Sequence, residues 1–376
     1  MRIWIHVAND FRRAAVSPAP PRAVRQVLRR RPIAPGPTFH PLPSPRGPAP
    51  YRRRLDDVLT PQQTAAIERR GELRFHCVGD TGGWRHPGPQ REVAAAMVRE
   101  LSGPAPVDFF YHLGDLVYPH GEEAHYGPQF FSPYAAYDAP IFAIPGNHDG
   151  EVHDSRARSL EPFVKTFCSA SPPLHDAAVS AHRPLSRQPH VHWTLVHDWV
   201  WVIGLYTNVH EDGELAEDQL EWMVSELACA PRDVLVILAV HRPVFSIDTV
   251  HGSNLALRDA FDDCFDRAAR VPDAVFGAHA HDYQRFARRH GRRRVPYVVA
   301  GSGGFYERHD VGAGVITLPA TFPGLADLTL EAYDSDHHGF MTVTVRPGRA
   351  DVVYTAVSDG AGHQVDAFGI APGTAT

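Results

Sequence analysis

Phe276-Gly277-Ala278-His279-Ala280-His281-Asp282-Tyr283-Gln284-Arg285 closes a short apolar run and carries a His-x-His pair. In extended backbone, residues two apart point to the same side, so His279 and His281 can reach one metal centre from the mouth of a strand. The pair alone is weak evidence of a site. The chain has 24 His, and His190 and His192 repeat the spacing. Its weight comes from what precedes it. Asp80, Asp115, Asn147 with His148, and His241 each follow an apolar run, and Tyr118 stands close to Asp115. Taken singly, a strand-end Asp caps a turn, Asn147 is a turn residue and Tyr118 packs. Taken as an ordered set, they read as a metal site.

Working outward, residues 73–78 predict a strand before Gly79-Asp80-Thr81-Gly82-Gly83. Residues 90–101 predict a helix, with Val93, Met97, Val98 and Leu101 on one face. A second strand over 107–113 runs into Gly114-Asp115-Leu116-Val117-Tyr118, and a third over 141–144 into Pro145-Gly146-Asn147-His148-Asp149. The steps from Asp80 to Asp115 (35 residues) and from Asp115 to Asn147 (32) each match one strand–helix–strand unit. Parallel strands would bring the three ends to one edge, where open α/β sheets build their sites. Further on, 191–196 and 199–206 predict an antiparallel hairpin, and 214–227 an amphipathic helix. Residues 234–240 predict a buried strand delivering His241. Ser253 is placed to cap a helix bearing Leu257, Phe261 and Phe265, and 274–276 predict the strand before the opening stretch. Residues 295–300, 341–345 and 351–354 predict closing strands of a second sheet. The class is α/β, with 72–360 as one catalytic domain without internal repeat. Thr60-Pro61-Gln62-Gln63 opens a lead-in helix within 55–71, ended by Gly71. Residues 361–376 read as a C-terminal tail.

Composition bounds the rest. The hydrophobic fraction is 43% and the charged fraction 21%, as in a globular domain. No apolar run approaches the roughly 18–20 residues of a membrane span, and the N-terminus lacks a signal-peptide core, so the expectation is a cytoplasmic protein with no membrane partner. Net charge is −6, but residues 1–72 carry 14 Arg against 5 acids. Residues 1–54 hold 11 of the 34 Pro, with Arg29-Arg30-Arg31 and Arg52-Arg53-Arg54. Such a stretch buries little, so 1–54 read as a partly disordered extension whose removal leaves the core folded. No aromatics interleave with its arginines, which argues against a nucleic-acid arm. The four cysteines lie far apart, three in apolar patterns, and read as reduced thiols. Oligomeric state is not legible.

Mixed oxygen and nitrogen donors suit Fe, Mn or Zn and not a thiolate site. A carboxylate shared by two ions ~3.5–4 Å apart gives the geometry of two-metal hydrolysis, in which hydroxide becomes available near neutral pH. The sequence has neither a Gly-x-Ser-x-Gly elbow nor a phosphate-cradling Gly-x4-Gly-Lys loop. The ordered Gly-Asp, Gly-Asp, Gly-Asn-His-Asp, strand-end His and late His-x-His resemble the signature of the calcineurin-like metallophosphoesterases. Within them, Asp80-Thr81-Gly82 and Asp115-Leu116-Val117-Tyr118 are similar to the purple acid phosphatase branch, as are 241–246 and 299–305. The resemblance covers about 72–357 and implies a four-layer αββα sandwich of two mixed sheets flanked by helices. It implies two metal ions: one held by Asp80, Asp115, Tyr118 and His281, the other by Asp115, Asn147, His241 and His279, with Asp115 bridging. A tyrosine ligand implies Fe(III) at the first site, with Fe(II), Zn or Mn at the second. His148 would act on the substrate phosphate or protonate the leaving group, and His153 and His251 are further substrate-contact candidates. The implied function is hydrolysis of a small phosphate ester, foremost a phosphomonoester. A phosphodiesterase with the same ligands and a non-catalytic binding protein of the same fold are the alternatives. An amidohydrolase-type enzyme fits less well, because Lys165 lies near no strand end of the required kind.

Two positions depart from the family pattern. Ala278 stands where the last motif has Gly, and Tyr206 stands where many members have Asp.

Overall fold

Two β-sheets lie face to face. The computed structural model describes residues 42–151, 158–169, 187–207, 215–311 and 316–373. Their strands, in chain order, are β1 (Arg52–Arg54), β2 (Leu73–Val78), β3 (Phe109–His112), β4 (Ile141–Ala143), β5 (Trp193–His197), β6 (Val200–Leu205), β7 (Leu235–Val240) and β8 (Ala274–Gly277). Then follow β9 (Tyr283–His290), β10 (Arg293–Ala300), β11 (Ala320–Phe322), β12 (Leu325–Asp334), β13 (His338–Arg346), β14 (Arg349–Ser358) and β15 (Ala361–Ile370). One sheet has the order β15-β14-β13-β2-β3-β4, the other β1-β5-β6-β7-β8-β10-β9-β12-β11. The long helices are α1 (Pro61–Arg70), α2 (Gly88–Leu101), α3 (Glu217–Cys229) and α4 (Leu255–Arg267).

Both sheets are mixed. The run β2-β3-β4 is parallel, as is β6-β7-β8-β10, whereas β13 joins β2 antiparallel. Strands buried on both faces read as continuous apolar runs, which is why 235–240 are legible as Leu-Val-Ile-Leu-Ala-Val. Three clusters make the layers. Between the sheets, Phe75, Phe109 and Tyr111 meet Leu195, Val202, Ile237, Phe276 and Val298. Outside the larger sheet, Met223 and Leu227 of α3 and Phe261 and Phe265 of α4 cover Val236, Leu238 and Val240. Outside the smaller sheet, Val93 and Met97 of α2 join Phe130, Phe163 and Phe167 over Phe110 and Ile141. The order is helix, sheet, sheet, helix. Each buried large apolar side chain contributes about 1.5–3 kcal/mol relative to exposure.

The lead-in helix α1 forms as its capping box requires. Gln63 N donates to Thr60 Oγ1, Thr60 N donates to Gln63 Oε1 at 2.9 Å, and Gly71 ends the helix at φ 63°. Several boundaries differ from the sequence reading. Arg52–Arg54 are not part of a loose extension but pair in parallel with β5. Residues 361–370 are not a tail but an edge strand along β14. Residues 295–300 belong to the larger sheet, while 341–345 and 351–354 lie in the smaller. Asn254, not Ser253, caps α4, its Oδ1 accepting from Leu257 N at 2.9 Å. The free thiols Cys77, Cys168 and Cys264 are buried and Cys229 is exposed. Among the described residues no helix is long and apolar enough to cross a membrane.

Candidate metal centre

The carboxyl ends of β2, β3, β4, β7 and β8 meet along one shared edge of the two sheets and carry Asp80, Asp115, Asn147, His241 and the His279/His281 pair. The turns that follow are tight. Asp80 and Asp115 have φ 55° and His279 has φ 69°, in the left-handed region that side chains rarely adopt. Backbone of this kind costs on the order of 1–3 kcal/mol per residue and persists only where its surroundings fix it. Here Asp80 N donates to Gly114 O at 2.9 Å and Ala280 N to Ala278 O at 2.8 Å. Gly114 has φ 98°, and a Cβ on it would meet Gly146 N at 2.6 Å and His241 Nδ1 at 2.7 Å. The two sheet edges therefore approach as closely as backbone allows.

The ligating atoms of the predicted residues converge in two groups. Tyr118 OH lies 3.1 Å from Asp80 Oδ1, 3.3 Å from Asp115 Oδ2 and 3.5 Å from His281 Nε2. His281 Nε2 is 3.6 Å from Asp80 Oδ1. On the other side of Asp115, His241 Nε2 is 3.2 Å from Asp115 Oδ2, and ligand atoms of Asp115, His241 and His279 all lie within 4.8 Å of one another. Ligands about 2.1 Å from one ion stand roughly 3–3.5 Å apart, which matches these separations. Asp115 belongs to both groups.

Orphaned atoms test the fit. Asn147 Oδ1, His241 Nε2 and His279 Nε2 are buried and find no hydrogen-bond partner among the described residues. A buried polar atom left unsatisfied costs roughly 1–3 kcal/mol, so Asn147 Oδ1 and His279 Nε2 call for an occupant, while His241 Nε2 faces only the Asp115 carboxylate at 3.2 Å. All three are metal-ligand types, and together with Asp115 they form the second predicted set. The residues present fit a pair of ions.

Electrostatics points the same way. Burial works against a charged His241, yet Asp115 and Asp80 hold it up at about 9, so the metal-free chain recruits a proton into the carboxylate cluster. Burial, with Asp80 and Asp115, pushes the Tyr118 phenol well above its ordinary range, so without a cation it stays a donor to Asp80. A highly charged ion reverses that order, because its own field dominates the site.

His148 lies beside the centre. Its backbone N donates to Asp115 Oδ1 at 2.9 Å, and its Nδ1 donates to Pro119 O at 2.6 Å. That bond commits Nδ1 and leaves Nε2 for substrate. The His251 ring packs against His279 with ring centres 4.0 Å apart, which brings it to the centre. His153 lies outside the described residues. His190 and His192 sit elsewhere, packed edge-on or tilted against each other and against Tyr51.

Both departures have local explanations. A Cβ on Gly79 would lie 2.5 Å from Ala278 Cβ, so the Ala278 methyl occupies the space above a glycine. Tyr206 is buried in the outer cluster of the smaller sheet, its backbone N and O both bonded to the Gln219 amide.

Sequence reasoning gave no role to three supporting residues. Asp149 accepts N–H bonds from Asp115, Leu116, Val117 and Gly146 at 2.8–3.3 Å, tying the second and third turns together. Gln129 holds the Tyr118 backbone by both amide atoms, at 2.9 and 2.6 Å. His112 binds Thr81 Oγ1 at 2.8 Å and accepts from Gly114 N at 3.1 Å. Asp149 adjoins a recognised motif and was therefore findable, whereas Gln129 carries no local signal.

Comparison with known proteins gives a consistent result. The family model described as calcineurin-like phosphoesterase matches residues 73–283, more than half of the chain. Purple acid phosphatase 22 of Arabidopsis thaliana is 25% identical over 263 residues, covering 65% of this chain and 52% of that protein. Tartrate-resistant acid phosphatase type 5 of Homo sapiens is 25% identical over 261 residues, covering 62% and 74%. The structure of a purple acid phosphatase from yellow lupin (Lupinus luteus) seeds matches with TM-score 0.57 at 17% identity, covering 80% of this chain and 54% of that one. The chain thus spans about half the length of the Arabidopsis and lupin proteins.

Proposed function

The chain belongs to the calcineurin-like phosphoesterase family, and from that premise we propose that it is a dinuclear metal-dependent phosphomonoesterase. One observation carries the reading: ligand atoms of Asp115, His241 and His279 lie within 4.8 Å of one another, and Asn147 Oδ1 and His279 Nε2 are buried with no hydrogen-bond partner among the described residues. Asp80, Asp115, Tyr118 and His281 would hold one ion; Asp115, Asn147, His241 and His279 would hold the other. When bound, the pair supplies an activated water and neutralises phosphate charge. Tyr118 favours Fe(III) in the first position, and Fe(II), Zn or Mn suits the second.

The protein's own part is to place and to move protons. His241 Nδ1 donates a hydrogen bond to Leu113 O at 2.8 Å, so Nε2 would be the ligating nitrogen. His281 does the same with Glu307 O at 2.7 Å. His148, with Nδ1 committed to Pro119 O, presents Nε2 to the substrate phosphate and protonates the leaving alkoxide. His251 and His153 are proposed substrate contacts. The acid phosphatase relatives support a monoester over a diester.

Purified protein assayed against phosphomonoesters and diesters, with metal content measured alongside, tests the reading. Two ions per chain and faster monoester turnover are expected; a metal-free, inactive protein would overturn it. His148→Asn should lower turnover with metals retained, and the loss should be larger for alkyl than for nitrophenyl esters. Equal losses would leave His148 an orienting role only.

A further inference from the structure

Residues 246–252 and 305–310 close over the His279-Ala280-His281 segment from two sides. The second loop touches His281 through Glu307, His309 and Phe305, whose ring lies 4.8 Å from the His281 ring. Glu307 O accepts from His281 Nδ1 at 2.7 Å, and His309 N donates to His281 O at 3.2 Å. The His309 ring stacks on the His281 ring at 4.1 Å with 26° between planes. From the first loop, the His251 ring packs against His279, with ring centres 4.0 Å apart and 40° between planes. The loops are latched to each other. His309 Nδ1 lies 2.6 Å from Asp248 Oδ2 and 3.3 Å from His281 N, and Thr249 N donates to Asp310 O at 3.0 Å. The Asp248 side chain is fully buried and the His309 side chain is 10% exposed. Asp248 is itself fixed, its N donating to Ser246 Oγ and its Oδ1 accepting from Val250 N at 2.6 Å.

We propose that Asp248 and His309 form a positioning pair that holds the His281 ring in its ligating orientation and keeps His251 packed on His279. The chain of cause is short. The Glu307 carbonyl fixes which His281 nitrogen faces the centre, but one hydrogen bond leaves the ring free to rock about its axis. The face of His309 removes that freedom, and Asp248 removes the freedom of His309. Neither residue ligates. Partners one contact behind a metal ligand typically change affinity by about 10–100-fold.

The inference rests on the metal reading above. The test compares Asp248→Asn, His309→Phe and His309→Ala with wild type in metal-loaded protein. Metal remaining per chain is followed through dialysis against EDTA, together with the thermal midpoint of each metal-free variant. The expected result is about 10–100-fold faster loss of one ion in His309→Ala and Asp248→Asn, well below their unfolding temperatures. His309→Phe, which keeps the ring contact without the latch, should fall between; it decides the matter if His309→Ala does not fold. Variants that hold both ions as long as wild type, or release them only on unfolding, would overturn this inference alone. A wild type that binds no metal would overturn the metal reading and this inference with it.

Discussion

Gly82 and Tyr118 are a matched pair. A Cβ on Gly82 would stand 2.6 Å from Tyr118 Cδ2, 2.6 Å from Gln129 Oε1 and 2.9 Å from Leu116 O. A side chain at 82, such as the histidine of other family branches, and the Tyr118 ring therefore exclude each other. With no nitrogen donor at 82, the phenol would complete the proposed first ligand set. Oxidised, iron-loaded protein is accordingly expected to be violet to pink, because a phenolate on Fe(III) absorbs visible light. Tyr118→Phe should bleach the band, and Gly82→Ala should shift it while costing roughly 1–3 kcal/mol of stability from overpacking. An undiminished band in Tyr118→Phe would show that the ring only packs. Asp115→Asn tests the shared carboxylate. Both ions should be lost or weakened and activity should fall by at least ~10²–10⁴, the range of a first-rank catalytic group. Two ions per chain with normal turnover would remove Asp115 from the bridging position.

Among elements, strands buried on both faces were legible and edge strands were not. β2, β3, β4, β7 and β8 are short apolar runs, and each ends in a ligand motif, so sequence placed them and the site together. β15 opens on small and polar residues, has only scattered apolar ones and lies mostly exposed along an edge, so it gives no continuous apolar run. β9 is rich in charged and polar positions, and ion pairs cover two of them, Arg285 with Asp366 and Arg288 with Asp262 and Asp327. Such partners lie tens of residues away, and no local pattern announces them. The same distance hides the pairing of Asp248 with His309. β1 is the clearest case: three arginines read as a solvated charge run. Arg52 instead makes a bidentate bond to Glu226, which is fully buried and also accepts from Thr194 Oγ1 at 2.6 Å. Removing one partner of a buried pair strands the other charge. Arg52→Ala is thus expected to cost about 2 kcal/mol or more, and removal of residues 1–54 at least as much. Both would appear as a lower urea midpoint. An unchanged midpoint for the truncated protein would return this stretch to the status of a loose extension.

Across the whole molecule, buried neutral histidines set a limit on acid tolerance. Burial pushes His190 down to about 4, and burial together with its neighbour His190 pushes His192 down to about 3. Burial likewise lowers His290 to about 4, with Arg288 adding to it, and lowers His76. Unfolded histidine titrates near 6.5. Between that value and the folded one, the unfolded chain binds more protons, so stability rises with pH and is lost as pH falls. Each such histidine costs about 1.4 kcal/mol per pH unit across its window, against a total stability of roughly 5–15 kcal/mol. His241 has the opposite sign in metal-free protein. Held up at about 9, it adds stability that is complete below 6.5 and lost as pH rises through 9. Bound metal displaces that proton and should remove the alkaline slope. The acid slope is tested at His192, whose ring lies 4.3 Å from His190, 5.5 Å from Tyr51 and 4.8 Å from Trp222. His192→Phe keeps a ring in place but cannot take a proton. The urea midpoint of wild type should fall between pH 6.5 and 4.5, and His192→Phe should flatten that fall by up to about 1.4 kcal/mol per pH unit. Identical slopes in the two proteins would mean that the histidine cluster opens to water before it charges, and that acid sensitivity resides in the carboxylates instead.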